Sequence, residues 1–178
     1  MPSGGGTKEL WLRTLDKGIW QGGEPLLRLE PVLNQILTAR VSKDGEEART
    51  LFLTPADGVA KSPGPPLGIA RQAALQLMSK DYVAGQPRTD IPVLGISGLR
   101  YFREKIGMLL DSDVITAHDA LIGDRIARIF CGGDGPPGIA SEQHFLDLEC
   151  ESFLFLLGTS PTRERIEHLL THNAPLHN

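Results

Sequence analysis

From Ser97 to Leu170 apolar residues recur every three or four positions in four successive stretches, and each stretch opens near a Ser or Thr. That spacing belongs to the α-helix, in which residues three and four apart share a face, rather than to the strand, in which alternate residues do. Leu99, Phe102, Ile106, Leu109 and Leu110 mark the first helix, with Ser97 as its cap. Thr116-Ala117-His118-Asp119 reads as a capping-box variant ahead of Ile122, Ile126 and Ile129. Ser141-Glu142 opens a third helix with Phe145, Leu148, Phe153 and Leu156, ended by Gly158. Ser160-Pro161 opens the last, with Ile166, Leu169 and Leu170 inward. A glycine- and proline-rich loop, 132–138, lies between the second and third.

The front half is less regular. Thr7 to Leu15 predicts a helix with Leu10 and Trp11 near one another, broken by the glycines between 18 and 23. Glu30-Pro31 opens a short helix carrying Val32, Ile36 and Leu37, because Pro suits the first helical position. Gly45-Glu46-Glu47-Ala48 has the makings of another. Leu51-Phe52-Leu53 is the best strand candidate in the chain. Ser62 to Pro66 is a breaker cluster, and Ala70, Ala74, Leu77 and Met78 fit a helix after it. Ala84 to Pro92 reads as a loop or extended connector. The chain is therefore expected to be mainly α with little strand, in three parts: 1–60, 61–95 and a helical region 96–178.

With 178 residues there is enough chain for one modest core. Eighteen basic against 22 acidic residues give a net charge of −4 with no massed basic segment, which argues against a nucleic-acid partner. Two cysteines make no disulfide framework and suit a reducing compartment, cytosolic or an organelle matrix. No apolar run nears the roughly 20 residues of a membrane span. The first residues carry no signal-peptide pattern.

Candidate chemistry is sparse. Gly4-Gly5-Gly6-Thr7-Lys8 invites a phosphate-loop reading, but that motif needs Gly-Lys followed by Ser or Thr, and here Thr precedes Lys. A helix N-terminus at this point still suits an anion or a carbonyl oxygen. His168 and His172 have metal-ligand spacing, yet both sit where a helix C-terminus favours His in any case. Glu142, Asp147, Glu149, Glu151 and Glu164 read as a solvated face. Cys131 and Cys150 read as structural. No serine stands in a G-x-S-x-G elbow. Taken alone, the residues form no self-contained active site and bind no cofactor.

Three stretches resemble the crotonase family. Pro2-Ser3-Gly4-Gly5-Gly6-Thr7-Lys8-Glu9-Leu10 resembles its Pro-Gly-x-Gly-Gly-Thr loop and helix start. Thr38-Ala39-Arg40-Val41-Ser42 with Glu47-Ala48-Arg49 is similar to a second family segment. The tail, from Ser141-Glu142-Gln143-His144-Phe145-Leu146-Asp147-Leu148-Glu149 to Arg165-Ile166-Glu167-His168 and Pro175-Leu176-His177-Asn178, resembles the end of fused bacterial 3-hydroxyacyl-CoA dehydrogenase/enoyl-CoA hydratase proteins. Segments 87–95 and 118–124 match the same class. Ala174, His177 and Cys150 depart from it, standing where Lys, Arg and Arg are usual.

The resemblance implies the C-terminal, helix-rich portion of a crotonase-like α/β fold, part of a fatty-acid β-oxidation enzyme. It implies that both catalytic glutamates and the NAD-binding half lie upstream, so this chain carries no catalytic residue. Only the loop positions Ser3, Gly4 and Gly5 would touch an acyl-CoA thioester, and Ser3 stands where the family commonly has Gly. Met1 stands where the family has an apolar residue before Pro, so the reading frame is expected to continue upstream. The partners implied are those upstream segments, and a homo-oligomer. The competing expectation is a non-catalytic oligomerisation or docking module. Loss of the front half is expected to leave Trp11, Leu33 and Phe52 exposed and the chain marginally stable.

Overall fold

The computed structural model describes residues 6–16, 25–51, 53, 57–59 and 66–178. Among them are eight helices and one two-stranded sheet: α1 (Thr7–Asp16), α2 (Pro25–Leu37), α3 (Gly45–Leu51), α4 (Pro66–Met78), β1 (Ile91–Val93), α5 (Gly95–Asp111), α6 (Ala117–Phe130), β2 (Gly138–Ala140), α7 (Glu142–Leu157) and α8 (Ser160–His172). The mainly α expectation is met.

The chain divides into two compact units, one of residues 42–87 and one of the remainder. In the larger unit α6 is the central helix, packed by α1, α2, α5 and α7. Its core is built from Trp11, Leu33, Phe102, Ile126, Phe130 and Phe145 with their neighbours. Trp11 and Leu33 are thus buried, against the expectation that they would lie open. They are covered by elements of this same chain, because α1 and α2 close on α6. Phe52 lies outside the described residues.

In the smaller unit, Asp44 caps α3 by accepting from the Glu47 N–H at 2.8 Å, and Glu47 accepts from the Lys43 N–H at 2.7 Å. Helix α4 carries its apolar residues at helical spacing, as expected, but buries none of them. Leu67 and Met78 are 81% and 73% exposed.

Several boundaries differ from the sequence reading, each for a local reason. Helix α2 starts at Pro25, which takes the first-turn role, and runs through Pro31. A mid-helix proline forfeits one backbone bond; burial of Leu29, Val32, Leu33 and Leu37 on α2 offsets it. Leu51 ends α3 rather than starting a strand, and the Leu53 N–H closes the helix end by donating to Ala48 O, five residues back, at 2.9 Å. The strand pair is elsewhere. Ile91, Pro92 and Val93 pair antiparallel with Ala140, Ile139 and Gly138, at the ends of the segments read as connector and loop. With only two strands each has a free edge, where proline is tolerated. Ser97 lies inside α5, its hydroxyl donating to Leu94 O at 3.0 Å.

Helices α6 and α7 start as their sequences dictate. Thr116 Oγ1 accepts from the Asp119 N–H at 3.1 Å, and Asp119 accepts from the Thr116 N–H at 3.0 Å, a reciprocal capping box. Asp119 also receives Arg165 of α8 at 2.6 Å. Thr116→Ala is expected to lower unfolding stability by about 1–2 kcal/mol in urea titration. Helix α8 turns inward on Thr162 rather than on Leu169 and Leu170, the last of which is 81% exposed. The buried pair formed by His118 and Thr162, 2.9 Å apart, takes the inward position.

Candidate functional site

Ser3, Gly4 and Gly5, the residues expected to meet a substrate, lie outside the described residues. The structure describes the helix they lead into. Gly6 has φ +91°, a left-handed conformation that glycine adopts without strain. Its carbonyl accepts from the Leu10 N–H at 3.0 Å, the first bond of α1. Thr7 and Lys8 follow at once and are both buried.

The opening turn of any helix presents backbone N–H groups with no partner inside the helix. Here the partner is supplied by α7. Glu149 Oε1 accepts from the Lys8 N–H at 2.6 Å, and the Thr7 N–H adds to the stabilisation of the same carboxylate. The Lys8 side chain reaches the same helix one level earlier. Its Nζ lies 2.5 Å from Glu142 Oε1 and 2.9 Å from Glu9 Oε1. Glu142 is also fixed by the backbone of Arg88, accepting from its N–H at 3.1 Å and donating its own N–H to its carbonyl at 2.8 Å.

The electrostatics follow from burial and pairing. Burial pushes the Glu149 carboxyl above the ordinary value of 4.5, against the opposing pull of the Lys8 amide and ammonium. Glu142 is lowered, chiefly by the Lys8 hydrogen bond and then by the Arg88 N–H. Burial tends to lower Lys8, but its bonds to Glu142 and Glu9 outweigh that and raise it. The two glutamates therefore act on stability in opposite senses. A raised carboxyl means the native state holds its proton longer than the unfolded chain, so its contribution falls as pH rises from about 4.5 through the native pKa. Glu149→Gln is expected to remove that loss. Its stability relative to the unmodified chain should improve as pH goes from 4 to 7, read as the shift in urea midpoint at the two pH values.

In the sequence Lys8 marks a phosphate-loop candidate and Glu142 and Glu149 a solvated face; the second reading is corrected, since Glu149 is 6% exposed and Glu142 pairs with Lys8. One signal was present. Glu149 falls in the stripe Phe145, Leu148, Ser152, Leu156 that α7 buries, so a carboxylate there needs a partner. Ser152 Oγ and Trp11 Nε1 are buried without a hydrogen bond, one turn further along α7 and α1.

The remaining candidates come to structural roles. The pole of α1 cannot cradle a phosphate with its Lys8 N–H, which Glu149 already occupies. His168 and His172 stack on one another with ring centroids 4.3 Å apart, and no group of three metal-ligating side chains occurs among the described residues. Cys131 is buried as expected, its thiol pushed up to about 12 by burial, whereas Cys150, also expected to be buried, is exposed. Ser141 caps α7 through the His144 N–H. Among the described residues, no helix is long and apolar enough to cross a membrane.

No family model matches the chain, and no solved structure does. A protein of Bacillus subtilis (strain 168), named "Probable 3-hydroxyacyl-CoA dehydrogenase", is 28% identical over 180 residues. The match spans 100% of this chain and 22% of that protein. The chain thus spans about a fifth of the length of the relative it matches.

Proposed function

We propose that this chain is the C-terminal part of the enoyl-CoA hydratase (crotonase) domain of a fused 3-hydroxyacyl-CoA dehydrogenase/enoyl-CoA hydratase of fatty-acid β-oxidation. The observation that carries the reading is similarity along its whole length to a protein named as a probable 3-hydroxyacyl-CoA dehydrogenase; the hydratase part rests on the resemblance of the loop and tail segments. The fixed first turn of α1 supports it, since that turn gives the glycine segment a defined downstream end. The longer protein would use NAD and acyl-CoA and act in the cytoplasm. The chain's neighbours would be the upstream crotonase and dehydrogenase segments.

Hydration adds water across the C2–C3 double bond of a trans-2-enoyl-CoA, and negative charge builds on the thioester oxygen as it does so. Backbone N–H groups aimed at that oxygen stabilise the charge, while carboxylates move the proton and activate the water. In this reading the oxyanion-hole N–H groups and the carboxylates both lie upstream of the chain. In the same reading Ser3, Gly4 and Gly5 would meet the acyl-CoA thioester. The test is Gly5→Pro in the longer protein, which deletes one N–H. Hydration of crotonyl-CoA should fall by about 10²-fold if that segment positions the substrate, since a misplacement of about 1 Å at the reacting centre costs about that much. Undiminished turnover would remove Gly5 from the site.

A second reading, a docking or oligomerisation module, is favoured by α4, which buries none of its apolar residues. A concentration-dependent dimer in sedimentation, abolished by Leu67→Glu with Met78→Glu, would support it. A strictly monomeric chain would count against self-association.

A further inference from the structure

We infer that α8 is held by an acid-released latch: the helix docks on the opening turn of α6 through the buried His118–Thr162 pair, and protonation of His118 loosens it.

The attachment of α8 is polar. Of its thirteen residues only Thr162 is buried. Ile166 is half-buried, while Leu169 and Leu170 stand open. A helix this short does not hold itself in water and depends on what it packs against. Its side-chain bonds to α6 all land on the first turn of that helix and its cap. His118 Nε2 lies 2.9 Å from Thr162 Oγ1. Arg165 donates from Nη1 to Asp119 Oδ1 at 2.6 Å and from Nη2 to Thr116 Oγ1 at 3.2 Å. On the α7 side, Thr159 Oγ1 donates to Leu156 O at 2.7 Å and lies 3.0 Å from Thr162 Oγ1. The one buried contact of α8 is therefore a bond to a histidine, the side chain whose charge changes nearest neutral pH.

Protonation does not cut that bond. The Thr162 hydroxyl can turn, accept from an imidazolium and donate onward to Thr159. The surroundings are what oppose the charge. His118 is 6% exposed, and a cation held away from water is costly. The charged groups that act on it are Arg165 and Glu164 of α8 and Asp119 beside it on α6. Burial first, and the Arg165 guanidinium second, hold His118 below its ordinary value of 6.5, against the pull of the two carboxylates.

The sign follows from proton linkage. Once α8 lifts away, His118 meets water and takes up a proton that it refuses when covered. The latch is therefore fully closed above pH 6.5 and weakens as pH falls below it. The weakening is at most about tenfold per pH unit and ends where the covered histidine itself titrates. Asp119 does not blur this window. Burial tends to raise its carboxyl, but the Arg165 and Thr116 bonds outweigh that and hold it below 3.8, so its pair with Arg165 stays charged at pH 5. His168 and His172 stack near the far end of α8 and are silenced separately in the test.

Amide hydrogen exchange of the 178-residue chain at pH 7 and pH 5 reads the latch, each rate divided by its intrinsic rate at that pH. Protection of residues 160–172 should fall about 10-fold between the two, while the interiors of α5 and α6 change less than about 2-fold. His118→Gln removes the titrating group and keeps an amide that can pair with Thr162, so protection of α8 should be equal at both pH values. His168→Gln combined with His172→Gln should leave the fall intact. If His118→Gln does not fold, NMR titration of the His118 ring in the unmodified chain decides, with an apparent pKa below 6.5 expected. Protection of α8 that is the same at pH 5 and pH 7 overturns the latch. So does a fall that persists in His118→Gln, a fall abolished by the His168 and His172 substitutions, or a His118 pKa at or above 6.5.

Discussion

Trp11→Ala is expected to destabilise the chain by about 3–5 kcal/mol, the usual cost of emptying a large buried aromatic site. In a chain of this length that corresponds to a melting temperature lower by about 6–20 °C. Trp11 is fully buried and belongs to the main core, on the helix that bridges α2, α6 and α7. Its removal opens a cavity among three helices at once, so no single neighbour can collapse into it. Its Nε1 has no hydrogen-bond partner, so the loss is one of packing and not of polar contacts. Trp11→Phe should therefore lose much less than the alanine variant, because it gives up some volume and relieves the unpaired N–H. Calorimetric melting of the two variants checks this. Equal losses would mean that the indole N–H matters after all.

Gly95→Ala is the second large effect. Gly95 opens α5 at φ +58°, where a side chain is strained whatever the space around it. A Cβ there would also meet backbone atoms of Gly135, Pro136 and Pro137 at 2.4 to 2.6 Å. Those atoms cannot swing aside as a side chain can, because the 135 loop is stitched to α5 by Ile96 N–H donating to Gly135 O at 2.8 Å. The left-handed penalty of about 1–2 kcal/mol and the overpacking penalty of about 1–3 kcal/mol act together, for a loss of about 2–5 kcal/mol. Gly107→Ala is the contrast within the same helix. A Cβ there meets nothing within 4 Å, so the variant should be stabilised by about 0.5–1 kcal/mol. Chemical denaturation of both should give midpoints displaced in opposite directions.

The parts of the fold legible in the sequence were those fixed by neighbours in the chain. The capping box of Thr116 and Asp119 and the cap at Ser141 are local devices, complete within four residues, and both form as read. Pro31 misled because proline at a first turn and proline inside a helix look alike until the helix start is known. Ser97 misled in a related way: it is the third residue of α5, and Leu94 takes the cap position without a capping bond, whereas Ser160-Pro161 opens α8 as expected. The β1–β2 pair is invisible locally, since each strand is three residues long and its partner lies nearly fifty residues away. The anchoring of α1 was the least legible feature. Glu149 and Lys8 are 141 residues apart, and only their position in buried stripes marked them as needing partners. The orientation of α8 was decided by a polar pair, His118 with Thr162, which an apolar-periodicity argument passes over.

The most direct test of the proposal that the reacting carboxylates lie outside this chain is an assay of the chain itself. The purified 178-residue protein, shown folded by its helical circular dichroism, is mixed with crotonyl-CoA and the enoyl absorbance is followed. The expected result is no hydration above the buffer rate, with turnover present only when the upstream segment is part of the same polypeptide. Turnover that scales with the concentration of the isolated chain would contradict this, and would require a catalytic carboxylate among the residues described above.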